Sequence, residues 1–193
     1  MNSVQRVTEL TEKYDFVYGA VGIHPDEIGS LNEEKMTYLK EKALGKKIVA
    51  VGEIGLDYYW DKEGRDIQAR WFEAQLDLAQ EINKPVIIHS RDACEDTLEI
   101  LRKRSKLNAV MHCYSYSSET ARELIEMGFM FGIGGVVTFN NAKKLKEAVE
   151  IIPIERILLE TDCPYLAPVP FRGKRNDSTL IKYMIEEIAA IKH

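Results

Sequence analysis

Cysteine is scarce in this sequence, and its placement excludes more than its number does. Cys94, Cys113 and Cys163 include no CxxC pair, and an odd count argues against a disulfide framework. No apolar run approaches the ~20 residues of a membrane-spanning helix. The opening MNSVQRVTEL lacks the apolar centre of a signal peptide, so a cytoplasmic location without a membrane partner is the default expectation. Positive charge is also in deficit: 26 Lys and Arg against 31 Asp and Glu give a formal charge of −5. A polyanion would therefore need a local basic cluster, or metal ions, to bind. Internal repeats and low-complexity tracts are missing too.

What is present is an ordinary globular composition, 45% apolar and 30% charged, in a length that suits one domain over residues 1–193. The stretch IVAVGEIGLDYY organises the rest. Ile48–Val51 is a short apolar run, as in a strand buried on both faces, and it delivers Glu53 among apolar neighbours. A carboxylate there is costly to ionise unless a cation faces it, whether a metal or a neighbouring Lys or Arg. The arrangement recurs. Apolar runs at 16–23, 85–88, 108–111, 129–137 and 156–159 alternate with segments of helical periodicity. Those helices are expected near Asn2–Asp15, from a Ser30/Glu33 capping box, before Pro85, from Asp92, from Ser117 or Ser118 to a stop at Gly128, from Asn141, and at the C-terminal end.

Six strands alternating with helices predict an α/β protein with a parallel sheet. Five of the six strands deliver a residue that can bind a metal or move a proton: His24, Glu53, His89, His112 and Asp162. A (β/α) barrel opens all its strand C-termini on one face, whereas an open sheet gathers only a few at its switch point. The pattern therefore favours a barrel.

One histidine at a strand end is more often structural than a ligand. Here three of the chain's four histidines sit at such ends, and the fourth is the terminal His193. Imidazoles with carboxylates suit Zn²⁺, Mn²⁺, Fe²⁺ or Mg²⁺. Arg172, Lys174 and Arg175 fall within the loop FRGKRN just past the last strand, and Arg91 follows His89 closely. Such a run is usually a solvated face, but beside a metal it would suit phosphate. Metal-assisted attack on a phosphodiester needs an activated water, charge neutralisation at phosphorus and a placed acid or base.

At GIHP, GEIGLDYY, PVIIHSRDA, MHCYSYS, GIGGVVTF and LLETDCPYLAPVPFRGKRN the chain closely resembles the TatD family of metal-dependent deoxyribonucleases, over nearly its whole length. The resemblance implies a (β/α)8 TIM-barrel fold with up to two divalent metals (Mg, Mn or Zn), cleaving DNA phosphodiesters. It implies that Glu53 is the ligand shared between metals, that His89, His112 and Asp162 are the other ligands, and that His24 and the RGKRN loop lie on the substrate side. Glu53 and Asp162 become the candidate catalytic groups, with Arg91, Arg172, Lys174 and Arg175 on phosphates. The family's first strand carries His-x-His, a pattern this sequence lacks. The expectation is thus a barrel truncated to six βα units, with one well-formed metal site built on Glu53, His89 and His112, reduced activity, and homo-oligomer formation through open sheet edges. An amidohydrolase acting on C–N or ester bonds and a non-catalytic metal-binding remnant are the alternatives.

Overall fold

The structure, a computed structural model, describes every residue of the chain except Ser105. Two compact units divide it, Met1–Ala109 and Val110–His193.

In the first unit α1 (Asn2–Lys13), β1 (Gly19–Val21), α2 (Glu33–Ala43), β2 (Ile48–Asp57), α3 (Arg65–Glu81), β3 (Val86–Arg91) and α4 (Cys94–Arg102) follow in that order. β1 pairs with β2 and β2 with β3, all parallel and in chain order. Sequential parallel pairing with a helix in each crossover is the βα repeat expected of a barrel. Helix α3 buries Phe72, Leu76 and Ala79 almost completely, and Val51, Ile54, Leu56 and Ile88 of β2 and β3 are buried with them. Each large apolar side chain so buried contributes about 1.5–3 kcal/mol.

The second unit repeats the scheme. Most of β4 (Ala109–Met111) belongs to it, followed by α5 (Ser118–Glu126), β5 (Met130–Ile133), α6 (Lys143–Ile151), β6 (Ile157–Leu159) and α7 (Ile181–Lys192). β5 lies between β4 and β6, again parallel to both. Phe131, Ile133, Val137, Leu145, Val149, Met184 and Ile188 form its core.

Several boundaries differ from the sequence reading, each for a local reason. The first strand is only Gly19–Val21, and Phe16 and Tyr18 before it are 82% and 63% exposed. Helix α2 is capped by Asn32, whose side chain accepts from the Lys35 amide, instead of by Ser30, which ends a 3-10 turn over Pro25–Ser30. Asn caps as well as Ser, so the nearer residue takes the role. Cys94 and Lys143 open α4 and α6, later than Asp92 and Asn141. The run at 129–137 ends as a strand at Ile133 and closes in a 3-10 turn over Gly135–Thr138.

The difference with most consequence is in β2. Its apolar run does not stop at Val51; the strand continues to Asp57. Val51 is opposite Val86 while Ile54 is opposite Ile88, so three steps on β2 match two on β3. That extra residue is a bulge at Gly52–Glu53, a device that re-aims a side chain out of strict alternation. Glycine is required beside it: a Cβ on Gly52 would fall 2.6 Å from the Ile87 Cβ, and one on Gly55 (φ 149°) would fall 1.8 Å from the His89 carbonyl oxygen. No helix among the described residues is long and apolar enough to cross a membrane.

Candidate metal centre

Two buried glutamines of α3 set the positions from which the first unit's polar residues project. Gln75, 1% exposed, accepts from the Ile23 amide at 2.7 Å and donates back to the Ile23 carbonyl at 3.1 Å, which fixes the backbone entering His24. Gln68, equally buried, accepts from the Asp57 amide at 2.8 Å and donates to the Asp57 and Asp61 carbonyls at 3.0 and 3.1 Å. They stand seven residues apart on one helix, so a single face of α3 holds the ends of both β1 and β2.

From those anchors His24, Glu53 and His89 each bring one potential ligand atom to within 4.8 Å of the others. The His24 ring packs edge-on to the His89 ring, centroids 4.3 Å apart, and its Nδ1 accepts from the Asp26 amide at 3.3 Å. Burial first, and then the nearness of His89, hold the His24 imidazole below its ordinary range. Both effects favour the neutral imidazole, the form that binds a metal.

His89 shows how the centre is poised. Its Nε2 lies 3.0 Å from Oδ2 of Asp57, a carboxylate 1% exposed, and its Nδ1 faces Glu53 Oε2 at 3.7 Å. The carboxylate fixes the Nε2–H tautomer, leaving the Nδ1 lone pair pointing at a second carboxylate. Two acceptors face each other at a distance too long for a hydrogen bond. Ligands on one tetrahedral ion, with bonds of about 2.1 Å, stand roughly 3.4 Å apart. The spacing and the donor set fit a divalent cation.

The second unit contains the same device in mirror sense. His112 Nδ1 lies 2.8 Å from Glu160 Oε2, and its Nε2 faces Asp162 Oδ1 at 3.6 Å. The other Glu160 oxygen accepts from the Cys113 amide at 2.8 Å, so the carboxylate that orients His112 is itself held. Asp162 sits at φ 45°, in the left-handed region. Arg172, Lys174 and Arg175 are exposed on the loop after β6, where Arg172 lies over the Phe139 ring at 4.3 Å. Asn176 anchors that loop: it is 1% exposed, and its side-chain amide donates to the Thr161 and Tyr165 carbonyls. In the first unit Arg91 is exposed and lies 3.9 Å from the Tyr59 ring centroid.

Within the first unit, then, expected ligands Glu53 and His89 meet, and His24, expected beside the substrate, joins them. Within the second, His112 and Asp162 meet. Sequence reasoning missed the two orienting carboxylates, Asp57 and Glu160. The signal for Asp57 was the period-two series Glu53, Gly55, Asp57, legible once the strand is carried past Val51. For Glu160 it was the spacing Glu160-x-Asp162.

Comparison with known proteins agrees with this chemistry. The family profile described as TatD related DNase matches residues 1–193. An uncharacterized metal-dependent hydrolase of Bacillus subtilis (strain 168), YabD, is 48% identical over 192 residues, covering 98% of this chain and 75% of the relative. The uncharacterized metal-dependent hydrolase YcfH of Escherichia coli (strain K12) is 40% identical over 186 residues, covering 95% and 69%. Among solved structures, the TatD homologue YJJV of Escherichia coli K12 matches with a TM-score of 0.90 and 29% identity, over 97% of this chain and 73% of that one. A TatD family hydrolase from Entamoeba histolytica matches with a TM-score of 0.86 at 22% identity, over 100% and 75%.

Proposed function

The chain belongs to the TatD-related DNase family of metal-dependent hydrolases, with that family's TIM-barrel type of α/β fold, and from that premise we propose that it hydrolyses phosphodiester bonds of DNA. The observation that carries the reading is the meeting of His24, Glu53 and His89, with His89 locked by a buried carboxylate on its far nitrogen. Those three residues would hold the divalent cation. When bound, it lowers the pKa of water and offsets charge at phosphorus.

The chain's own residues supply the rest. Asp57 keeps the proton of His89 on Nε2, so that Nδ1 stays a ligand. In the second unit Glu160 does the same for His112, whose other nitrogen faces the carboxylate of Asp162. Arg172, Lys174 and Arg175 pair with backbone phosphates, the guanidinium groups in bidentate fashion. A net negative chain that binds a polyanion relies on such local cations and on the metal.

The test is substrate class. The chain loaded with Mn²⁺ is offered plasmid DNA, an oligonucleotide, and a panel of small amides and esters. Cleavage of the DNA substrates, lost in Glu53→Gln and on chelation, is the expected result. Turnover of amides or esters with DNA untouched would overturn the assignment.

A further inference from the structure

The segment after β6 carries two carboxylates that address one imidazole. Glu160 Oε2 lies 2.8 Å from His112 Nδ1, and Asp162 Oδ1 lies 3.6 Å from His112 Nε2. Residues two apart on a regular strand project in the same direction. Here the backbone leaves the extended region at Asp162, with φ 45°. A residue other than glycine persists in that conformation where its surroundings fix it.

Asn176 does the fixing. Its side-chain NH2 donates to the Thr161 carbonyl on one side of Asp162 and to the Tyr165 carbonyl, at 2.7 Å, on the other. Its backbone amide donates to the Pro164 carbonyl at 3.0 Å, and the Tyr165 amide closes the turn onto the Asp162 carbonyl at 2.9 Å. The Glu160 amide donates to the Ile133 carbonyl of β5 at 3.3 Å, so the turn is tied at its start as well. Asn176 is 1% exposed, and among the described residues its Oδ1 is the one buried side-chain polar atom without a hydrogen-bond partner. A buried acceptor left unpaired is a cost. Packing gives no reason to carry it, because an apolar side chain of similar size would fill the space without it. What an apolar residue could not supply is the pair of N–H donors.

We propose that Asn176 is a positioning residue for Asp162: its carboxamide holds the turn that aims the Asp162 carboxylate at His112. The inference rests on the reading that the His112–Asp162 pair serves phosphodiester hydrolysis, and adds the residue that sets the geometry of the pair. Asn176 follows Arg175 directly, and Arg172 and Lys174 belong to the same loop. One buried side chain therefore places the carboxylate and the three cations of the loop in a common frame. A displacement of about 0.5 Å is enough to spoil such a constellation.

The test compares Asn176→Ala with wild type. Histidine-labelled, metal-free protein is followed by nitrogen NMR and by crystallography, and Mn²⁺-loaded protein is assayed on plasmid DNA. The His112 ring signals should move while those of His24 and His89, the controls, stay in place. The 3.6 Å separation of Asp162 Oδ1 from His112 Nε2 should change by more than about 0.5 Å. Cleavage should fall about 10- to 100-fold, as on loss of other groups that orient a metal-facing side chain. If Asn176→Ala does not fold, Asn176→Ser, which keeps one hydroxyl donor, should show a smaller change in the same direction. In wild type the Asn176 carboxamide protons should exchange slowly with solvent, and exchange at the rate of an exposed amide would overturn the proposal. A residue that only stabilised the loop would lower the melting temperature and leave the His112 signals and the Asp162 carboxylate where they are, and that result would also overturn it. Displaced His112 signals in a protein that never cleaves DNA would uphold the positioning role and count against the catalytic reading. Undiminished cleavage by Asn176→Ala with unmoved signals would do the reverse.

Discussion

Asp57→Asn is the most revealing single change, because it alters charge and hydrogen-bond polarity while keeping shape. Asp57 is 1% exposed and accepts three bonds: the His89 ring N–H on one oxygen, and the Tyr59 and Trp60 amides on the other. An asparagine has one acceptor oxygen and one NH2 group, and so cannot accept on both sides. Turning its oxygen toward the two amides preserves more bonds, and this sets the NH2 against His89 Nε2. His89 must then accept at Nε2 and carry its proton on Nδ1, the nitrogen that faces Glu53 at 3.7 Å. A proton occupies the direction the metal needs. Loss of such an orienting partner costs about 10- to 100-fold in metal affinity, or roughly 1.4–2.7 kcal/mol. Titration calorimetry with Mn²⁺ measures the affinity, and nitrogen NMR of the imidazole reads the tautomer in the metal-free protein. An Asp57→Asn protein with affinity within a factor of about two of wild type, and an Nε2–H tautomer, would refute the reasoning.

Glu160→Gln should act on His112 by the same logic: the amide oxygen keeps the Cys113 N–H, the NH2 faces Nδ1, and the ring proton moves to the side of Asp162. A shift of the His112 tautomer by nitrogen NMR is expected, and its persistence as Nδ1–H would contradict the assignment. Gly55→Ala places a methyl group against the His89 carbonyl at a backbone angle open to glycine, so a loss of about 3–5 kcal/mol in denaturant unfolding is expected; a loss near zero would show that the β2–β3 ladder has slack. His24 is held below the ordinary imidazole value of about 6.5, so the unfolded chain takes up its proton more readily than the folded one. The corresponding stability is complete above that ordinary value and is lost as pH falls through the lowered one. Thermal melts of metal-free protein from neutral to mildly acidic pH should show the loss, with a shallower slope in His24→Gln; identical slopes would count against it.

Much of this fold was legible in the sequence, because apolar runs separated by helical periodicity report directly which segments are buried. The βα alternation followed from that pattern, and so did the delivery of His112 and Asp162 just past strand ends, whereas Glu53 and His89, expected at such ends, lie within β2 and β3 because both strands run on to Asp57 and Arg91. The bulge at Gly52–Glu53 was not legible. It arises from pairing with β3, a neighbour that the local pattern of β2 does not encode. Ending the strand at Val51 hid Asp57, whose burial depends on Gln68 reaching across from α3. His24 was noticed, yet its approach to Glu53 and His89 depends on how Gln75 fixes the end of β1. Distances across elements are tertiary facts; the residue types were local ones.

The central claim is that a cation held by His24, Glu53 and His89 drives phosphodiester cleavage. Metal-free chain titrated with Mn²⁺, with bound metal and plasmid nicking followed in the same samples, tests it most directly. Nicking should rise in step with occupancy of that site, and Glu53→Gln should abolish both together. Nicking that persists in Glu53→Gln after the bound metal is lost would contradict the account.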